Sequence, residues 1–364
     1  MALMFSGNAV PQEQDDDVKA ILGKLNAKRR VARSLDDDEL LSEVTNWLPS
    51  GCLAFRRVAG TLGFPYGRIT EISGLEQTCK SAIGDLALAE CQRQGGIAIL
   101  ADTESARTQE YSREVSGLNL PGVIILEPQT LEDVFDQVMR TILLARETNP
   151  QRPIAVFIDS LGGVNSREVK AIAIARVLGK KYKNKKIGEA HSSPGTNARV
   201  ISTGIAELKD VARDSNAAVI IANQVYTNIN AGFGEPAEKT LGGNKLRYLT
   251  SLRVKATHRG RLVTGEGKDR RAIGFVAELE SIKNRHGDCF ETSKFAYVFA
   301  NGIDNVWTLW NEIPKTVGGS WTTIGGLPGK FAKMKFQGMD DFRRKATADP
   351  DLWTAAVDLF MSKG

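Results

Sequence analysis

The sequence predicts an α/β fold built on a mainly parallel sheet flanked by helices, and three observations carry that expectation. First, short apolar runs alternate with helical stretches between about residues 45 and 302, the pattern of strand–helix–strand units whose strands lie parallel. Second, one run, Arg68–Ser73, leads into Gly74-Leu75-Glu76-Gln77-Thr78-Cys79-Lys80-Ser81 and then into a helical stretch, Ala82–Ala89. Strand, tight turn, Lys-Ser and helix form the layout G-x-x-x-x-G-K-[ST] of a phosphate-binding loop, here with Cys79 at the second glycine. Third, the last strands are joined by short polar turns such as Arg285-His286-Gly287-Asp288, which read as hairpins added to the sheet edge.

The elements follow in order. Residues 1–15 are polar and predict no ordered element. Asp16–Arg33 reads as a helix with Val18, Ile21, Leu22 and Leu25 on one face. The acidic run 15–17 at its start and the basic run 28–30 near its end suit the helix dipole. Strands are expected at Arg68–Ser73, Gly96–Asp102, Gly122–Glu127, Ile154–Asp159, Ala218–Asn223, Ser251–Thr257, Phe275–Lys283 and Lys294–Phe299. Ile187–Asn197 and Val225–Gly243 show no periodicity, and loops of that length in a compact domain are functional or disordered. The basic run Lys180–Lys186 before the first loop reads as a solvated surface or as a contact to a phosphate backbone. Past residue 303 the composition changes, with Trp307, Trp310, Trp321, Trp353 and Gly-Gly pairs. The expected division is therefore 1–44, 45–302 and 303–364, the last a small C-terminal domain.

Composition bounds the function. At 364 residues, with roughly 150 per domain as a prior, two or three units are expected. The net charge of +5, from 48 basic and 43 acidic side chains, is too mild to name a partner, so partners must be argued from local clusters. Cys52, Cys79, Cys91 and Cys289 form no C-x-x-C pair, which argues against a zinc ribbon or disulfide scaffold and for reduced thiols in a cytoplasm. No apolar run approaches the roughly 18 residues of a membrane span, and no signal peptide is expected.

The chemistry sits at strand ends. Backbone N–H groups of the Gly74–Ser81 turn and the positive helix end would cradle phosphates. Lys80 would reach the outer phosphates and Ser81 would bind Mg2+. Asp159, ending an apolar strand, is either a Mg2+ carboxylate or an ordinary loop acid. Glu104, in Asp102-Thr103-Glu104, either orients a water on the γ-phosphate or belongs to a helix start, and the two readings weigh equally. Asn223-Gln224 either senses phosphate or caps a strand end.

Taken together with Leu48-Pro49-Ser50-Gly51-Cys52-Leu53, Gly63–Ile72, Phe157-Ile158-Asp159-Ser160-Leu161-Gly162, Gly232-Phe233-Gly234-Glu235-Pro236 and Gly242-Gly243-Asn244, these residues resemble the RecA family of recombinases. Among them they resemble the phage UvsX-type proteins. The resemblance covers roughly residues 45–302 and implies a RecA-like P-loop ATPase core with an N-terminal helix that docks on the adjacent subunit. It implies ATP held by Gly74, Glu76, Gln77, Thr78, Cys79, Lys80, Ser81 and Asp159, with Tyr111 stacking on adenine and Mg2+ on Ser81 and Asp159. It implies Glu104 as the catalytic glutamate, Gln224 as the link from γ-phosphate to the second DNA loop, and Lys283 and Arg285 as cations reaching ATP on a neighbouring subunit.

The loops 187–197 and 225–241 would line a filament axis. DNA contacts are implied for His191, Ser193, Pro194, Gly195, Arg199 and Ser202, and for Ile229, Phe233, Gly242, Gly243 and Asn244. The implied partners are single-stranded and double-stranded DNA, further copies of the chain in a helical filament, a mediator or loader and a single-strand-binding protein. There is no membrane among them, and the setting is cytoplasmic, that of a bacterial host if the chain is phage-encoded. Departures are Cys79 for glycine (UvsX-type proteins also carry a bulkier residue there), Pro194 at an apolar wedge and Ala206 at a DNA-contacting arginine. Phe331, Lys333, Lys335, Phe336, Arg343, Arg344 and Lys345 resemble a basic terminal domain, a gateway for duplex DNA, and read equally as a packed domain with a solvated basic face. Alternatives to a recombinase are a DNA-binding filament protein with weak ATPase, motivated by Cys79, and a hexameric helicase of the same fold.

Overall fold

The computed structural model describes residues 19–22, 24, 27, 44–104, 107–179, 195–227, 238–265 and 269–362. Of the expected N-terminal helix, residues 19–22 and 24 are helical, and the rest of 16–33 lies outside the described residues. Residues 46–364 form one compact unit.

Among the described residues, β1 (Trp47–Pro49) and β2 (Gly63–Pro65) pair with each other, and ten further strands join in one sheet. Its parallel part runs β9 (Leu252–Thr264), β3 (Ile69–Gly74), β7 (Ala217–Thr227), β6 (Ile154–Asp159), β4 (Ile97–Asp102) and β5 (Val123–Leu126). Beyond β9, β10 (Arg271–Asn284), β11 (Thr292–Val298) and β12 (Gly302–Asp304) add antiparallel pairs, the expected edge hairpins. β3 and β6 are buried along their whole length; β6 reads as a continuous apolar run up to Asp159, as a strand covered on both faces does, whereas β3 buries Thr70, Glu71 and Ser73 among its apolar residues.

Helices cover both faces. One core gathers Ile83, Leu88, Phe157, Ile220 and Val254 under α2 (Lys80–Arg93), with Phe55 of α1 (Leu53–Ala59). The other gathers Ile99, Val156 and Val219 under α4 (Leu131–Thr148) and α6 (Thr196–Asp214). α4 shows why such segments are helices. Leu131, Val134, Phe135, Val138 and Ile142 recur at helical spacing and are buried. Thr130 caps the start, its hydroxyl accepting from Asp133 N–H at 3.2 Å. Between these elements lie α3 (Gln109–Ser116) and α5 (Arg167–Val177).

Two expected loops are shorter than the sequence suggests. β7 continues through Thr227 and pairs antiparallel with β8 (Glu238–Thr240), Val225 opposite Thr240, and α7 (Gly243–Leu249) follows at once. The first loop ends at Gly195, because Thr196 and Asn197 already belong to α6. Polar side chains hid both ends: the sheet ladder and the helix are made by backbone groups, so neither needs an apolar pattern.

The C-terminal segment holds α8 (Asn305–Glu312), a three-stranded sheet of β13 (Lys315–Gly318), β14 (Trp321–Ile324) and β15 (Lys335–Phe336), α9 (Met339–Ala348) and α10 (Pro350–Met361). Phe331, Phe336, Phe342, Leu352 and Phe360 form its core, which Leu53 of α1 enters. Asn305 ties it down, accepting from Leu53 N–H and donating to the Gly51 carbonyl, both at 2.9 Å. Arg57 donates to the Phe360 carbonyl at 2.8 Å.

Candidate functional site

The phosphate loop leaves β3 where the parallel strands end, the side on which open α/β sheets bind ligands. Gly74 has no room for a side chain, since a Cβ there would lie 2.5 Å from the Ala256 carbonyl oxygen and 2.7 Å from Thr78 Oγ1. Gln77 and Cys79 then adopt left-handed backbone, at φ 56° and 66°. That is the reason the motif asks for glycine at the position of Cys79. A residue with a Cβ costs about 1–2 kcal/mol in this region. The Cys79 carbonyl accepts from Ile83 N–H at 3.0 Å and so starts α2. Its thiol packs against the core, and burial pushes its pKa up, which makes it a protonated, unreactive filler. Lys80 Nζ donates to the carbonyls of Gly74 at 3.0 Å and Leu75 at 2.7 Å. Burial pushes the pKa of Lys80 down, while Asp159, Glu104 and Glu76 pull the other way.

Beside the loop, β4 and β6 run in register with Asp102 opposite Asp159, so two acids end neighbouring strands. Glu104 N–H donates to Asp102 Oδ1 at 3.0 Å. Glu104 Oε1 accepts from Ser160 Oγ at 2.8 Å and from Gln224 Nε2 at 3.3 Å. Gln224 sits opposite Gly74 on β7 and accepts from the Tyr226 hydroxyl at 3.2 Å. The helix-start reading of Asp102-Thr103-Glu104 is not what the fold uses: α3 is capped by Thr108, which accepts from Tyr111 N–H. Thr103 instead clasps β6, donating to the Ser160 carbonyl at 2.7 Å and accepting from Ser160 N–H at 2.9 Å. Asn223, expected with Gln224, points inward. It donates to Glu71 Oε1 at 2.7 Å and to the Leu241 carbonyl at 2.9 Å, and Glu71 also pairs with Arg253.

Arg107 and Asp85, which belong to no motif in the sequence, join the site. Arg107 donates to Asp85 and, at 2.5 Å, to Asp159 Oδ2. Burial raises the Asp85 carboxyl pKa to about 6, against the pull of Arg107. Ser81, Asp102, Glu104, Asp159 and Arg107 line one cavity of about 350 Å³. Hard oxygen donors from a hydroxyl and one or two carboxylates, completed by substrate phosphates, suit Mg2+. Among the described residues no cluster of three or more His, Cys, Asp and Glu could hold a metal alone.

A second cavity of about 410 Å³ joins Gln77–Ser81 to Tyr111, His258, Phe275, Tyr297 and Phe299. The Tyr297 hydroxyl donates to the Tyr111 hydroxyl at 3.0 Å, and Phe275 stacks between His258 and Tyr297 at 5.3 and 5.2 Å. Flat aromatic walls next to the phosphate loop fit a purine base. Tyr297 and Phe299, two residues apart at the end of β11, were the available sequence signal. Glu76 is exposed at the loop tip.

Lys283 donates to the carbonyls of Arg247, Tyr248 and Thr250 at 2.7, 3.0 and 2.7 Å, and Arg285 donates to that of Tyr248 at 2.9 Å. Both cations thus grip the C-terminal end of α7, where the helix dipole favours them. Burial, with Arg285 and Arg253 nearby, pushes the pKa of Lys283 down to about 8. At the other end of α7 stand Gly242, Gly243 and Asn244. Gly242 is left-handed, at φ 93°, and a Cβ there would lie 3.0 Å from Ile201 of α6. That contact sets the Gly242–Asn244 turn against the helix that carries Arg199 and Ser202, with Gly195 at its cap. His191, Ser193, Pro194, Ile229 and Phe233 lie outside the described residues, as does the basic run 180–186.

In the C-terminal segment Arg343 pairs with Asp304, Arg344 and Lys345 pair with Asp341, and Lys330 pairs with Asp349. Lys333 and Lys335 are exposed. Among the described residues no helix is long and apolar enough to cross a membrane.

A family model described as the RecA N-terminal domain matches residues 27–304. Protein RecA of Ureaplasma parvum serovar 3 is 29% identical over 268 residues, 73% of this chain and 72% of that protein. Protein RecA of Aquifex aeolicus is 27% identical over 311 residues, 84% and 80% of the two chains. Protein RecA of Francisella tularensis subsp. novicida is 28% identical over 323 residues, 87% and 81%.

Proposed function

The chain belongs to the RecA family, and on that premise we propose that it is an ATP-dependent DNA recombinase of the phage UvsX type. It assembles a helical filament on single-stranded DNA and exchanges strands with a homologous duplex. The observation that carries this reading is the meeting of Lys80, Glu104, Asp159 and Gln224 at the carboxyl ends of four neighbouring strands, with Gln224 at the mouth of the β7–β8 hairpin. The Phe157–Gly162 sequence and the bulkier residue at position 79 support the UvsX-type assignment.

In this reading Lys80 exchanges its two loop carbonyls for the outer phosphates of ATP, and Tyr111 takes the adenine. Mg2+, held by Ser81 and Asp159, would neutralise phosphate charge. Glu104 orients the attacking water and accepts its proton. Gln224 leaves Glu104 for the γ-phosphate, and the hairpin that it opens carries the change to the DNA loops. Lys283 and Arg285 reach the ATP of the adjacent subunit. The N-terminal helix docks on that subunit, and the C-terminal segment touches duplex DNA through Lys333 and Lys335. A loader and a single-strand-binding protein complete the partners, in a cytoplasm such as that of a bacterial host.

The test is ATP hydrolysis by the purified chain with and without single-stranded DNA. The expected result is a rate that rises with DNA and is lost in Lys80→Ala. A rate indifferent to DNA, or to Lys80→Ala, removes the reading.

A further inference from the structure

Arg107 belongs to no sequence motif, yet the fold builds a place for it. It precedes α3, and its guanidinium lies 5.4 Å from the centroid of the Phe157 ring. One nitrogen donates to Asp85, on the second turn of the phosphate-loop helix, and another reaches Asp159 Oδ2 at 2.5 Å. The Asp85 side chain is wholly buried and that of Arg107 is 14% exposed. A carboxylate buried to that degree is retained only with a cation beside it. With one side pinned by Asp85, the planar guanidinium has its other side held on Asp159. Asp159 is thereby shared: one oxygen is committed to Arg107, and the residue faces the same cavity as Ser81, Asp102 and Glu104.

Resting on the nucleotide reading above, we propose that Arg107, anchored by Asp85, is a positioning residue that shares Asp159 with the magnesium ion of the bound nucleotide. It fixes the orientation of the carboxylate, and its charge opposes the incoming cation. Two cations on one carboxylate would repel appreciably even at an effective dielectric of about 20. The pair would therefore set how much free Mg2+ the site needs. Asp85 enters with the opposite sign, because its carboxylate offsets the guanidinium.

The experiment titrates MgCl2, at constant ionic strength, into the chain mixed with a fluorescent ATP analogue, and reads the Mg2+ midpoint of binding. Melting curves report folding. Arg107→Gln, which keeps hydrogen-bonding groups without the charge, should lower the midpoint about tenfold. Arg107→Met in an Asp85→Asn background, which leaves no unpaired charge at Asp85, should shift it the same way. Asp85→Asn alone, with the guanidinium uncompensated, should raise it about threefold. Opposite shifts from two members of one buried pair are a signature that general loosening of the fold does not produce. Midpoints that stay at the parent value, or move in the same direction in both single variants, overturn the proposal and leave Arg107 as a partner that merely neutralises Asp85. A parent chain that binds no analogue at any Mg2+ concentration removes the nucleotide reading itself, and this proposal with it.

Discussion

Substitution of Cys79 tests the phosphate loop at the position where sequence and geometry disagree. The residue holds φ 66°, and every side chain with a Cβ pays about 1–2 kcal/mol there. Glycine removes that cost but gives back about 0.5–1 kcal/mol through the freedom of its unfolded chain. It also loses a partly buried side-chain group worth about 0.8 kcal/mol. The terms nearly cancel, so Cys79→Gly should change stability by less than about 1 kcal/mol. Valine is different. Its branched Cβ is a severe outlier at positive φ, and the added strain is about 1–3 kcal/mol. At about 2.1 cal/mol/K of unfolding entropy per residue, each kcal/mol moves the melting temperature of a chain of this size by about 1–2 °C. Calorimetry on the two variants reads the contrast: Gly near the parent, Val lower by about 1–4 °C. A valine variant that melts with the parent refutes the left-handed loop. In the same samples, ATP hydrolysis by Cys79→Gly measures what the thiol does to turnover, and a large gain marks it as a brake.

Two further predictions concern charges. The Lys283 pKa, lowered to about 8, leaves the ammonium charged below that pH and neutral above it. DNA-dependent ATP hydrolysis that relies on this cation should therefore fall as pH rises through 8, and Lys283→Arg, which keeps its charge, should flatten the fall; a limb that survives in Lys283→Arg assigns the titration elsewhere. For stability the sign is opposite: between 8 and the unfolded value of 10.5 the unfolded chain holds more protons, so this group makes folding more favourable as pH rises. Arg253→Met strips the paired guanidinium from the fully buried Glu71 and leaves it the Asn223 hydrogen bond. Denaturant unfolding should show a loss of about 3–5 kcal/mol, most of it restored in Glu71→Gln/Arg253→Met. A single variant within about 1 kcal/mol of the parent shows that the charge finds another partner.

β3, β4 and β6 were legible within a residue or two, and β7 at its start, because apolar side chains dominate β4, β6 and the first half of β7 and the Gly74–Ser81 motif marks the end of β3; the polar far half of β7, out to Thr227, was not. The phosphate loop was legible because its chemistry is local: eight consecutive residues make the turn, the cap and the lysine. The hairpins past β9 were legible from polar turns between apolar strands. The inner ends of the two long loops were not. The β7–β8 ladder is three pairs long and sets Val225, Tyr226 and Thr227 against polar Thr240, Lys239 and Glu238, too few to show an alternating pattern, and α6 starts on a glycine whose neighbours carry no apolar signal.

A single segment could specify the strand–loop–helix of the phosphate site, the buried strands and the acids and amides at their ends. The packing of the layers chose which of those ends meet. β7 inserts between β3 and β6, and that order places Gln224 on Glu104, across 120 residues of chain. It decided, too, that Thr108 and not Glu104 caps α3, that Lys283 and Arg285 share the end of α7, and that Arg107 bridges acids 22 and 52 residues away. Burial and pairing across such separations depend on how layers pack, and a linear pattern of apolar and polar residues records which face is covered but not by what.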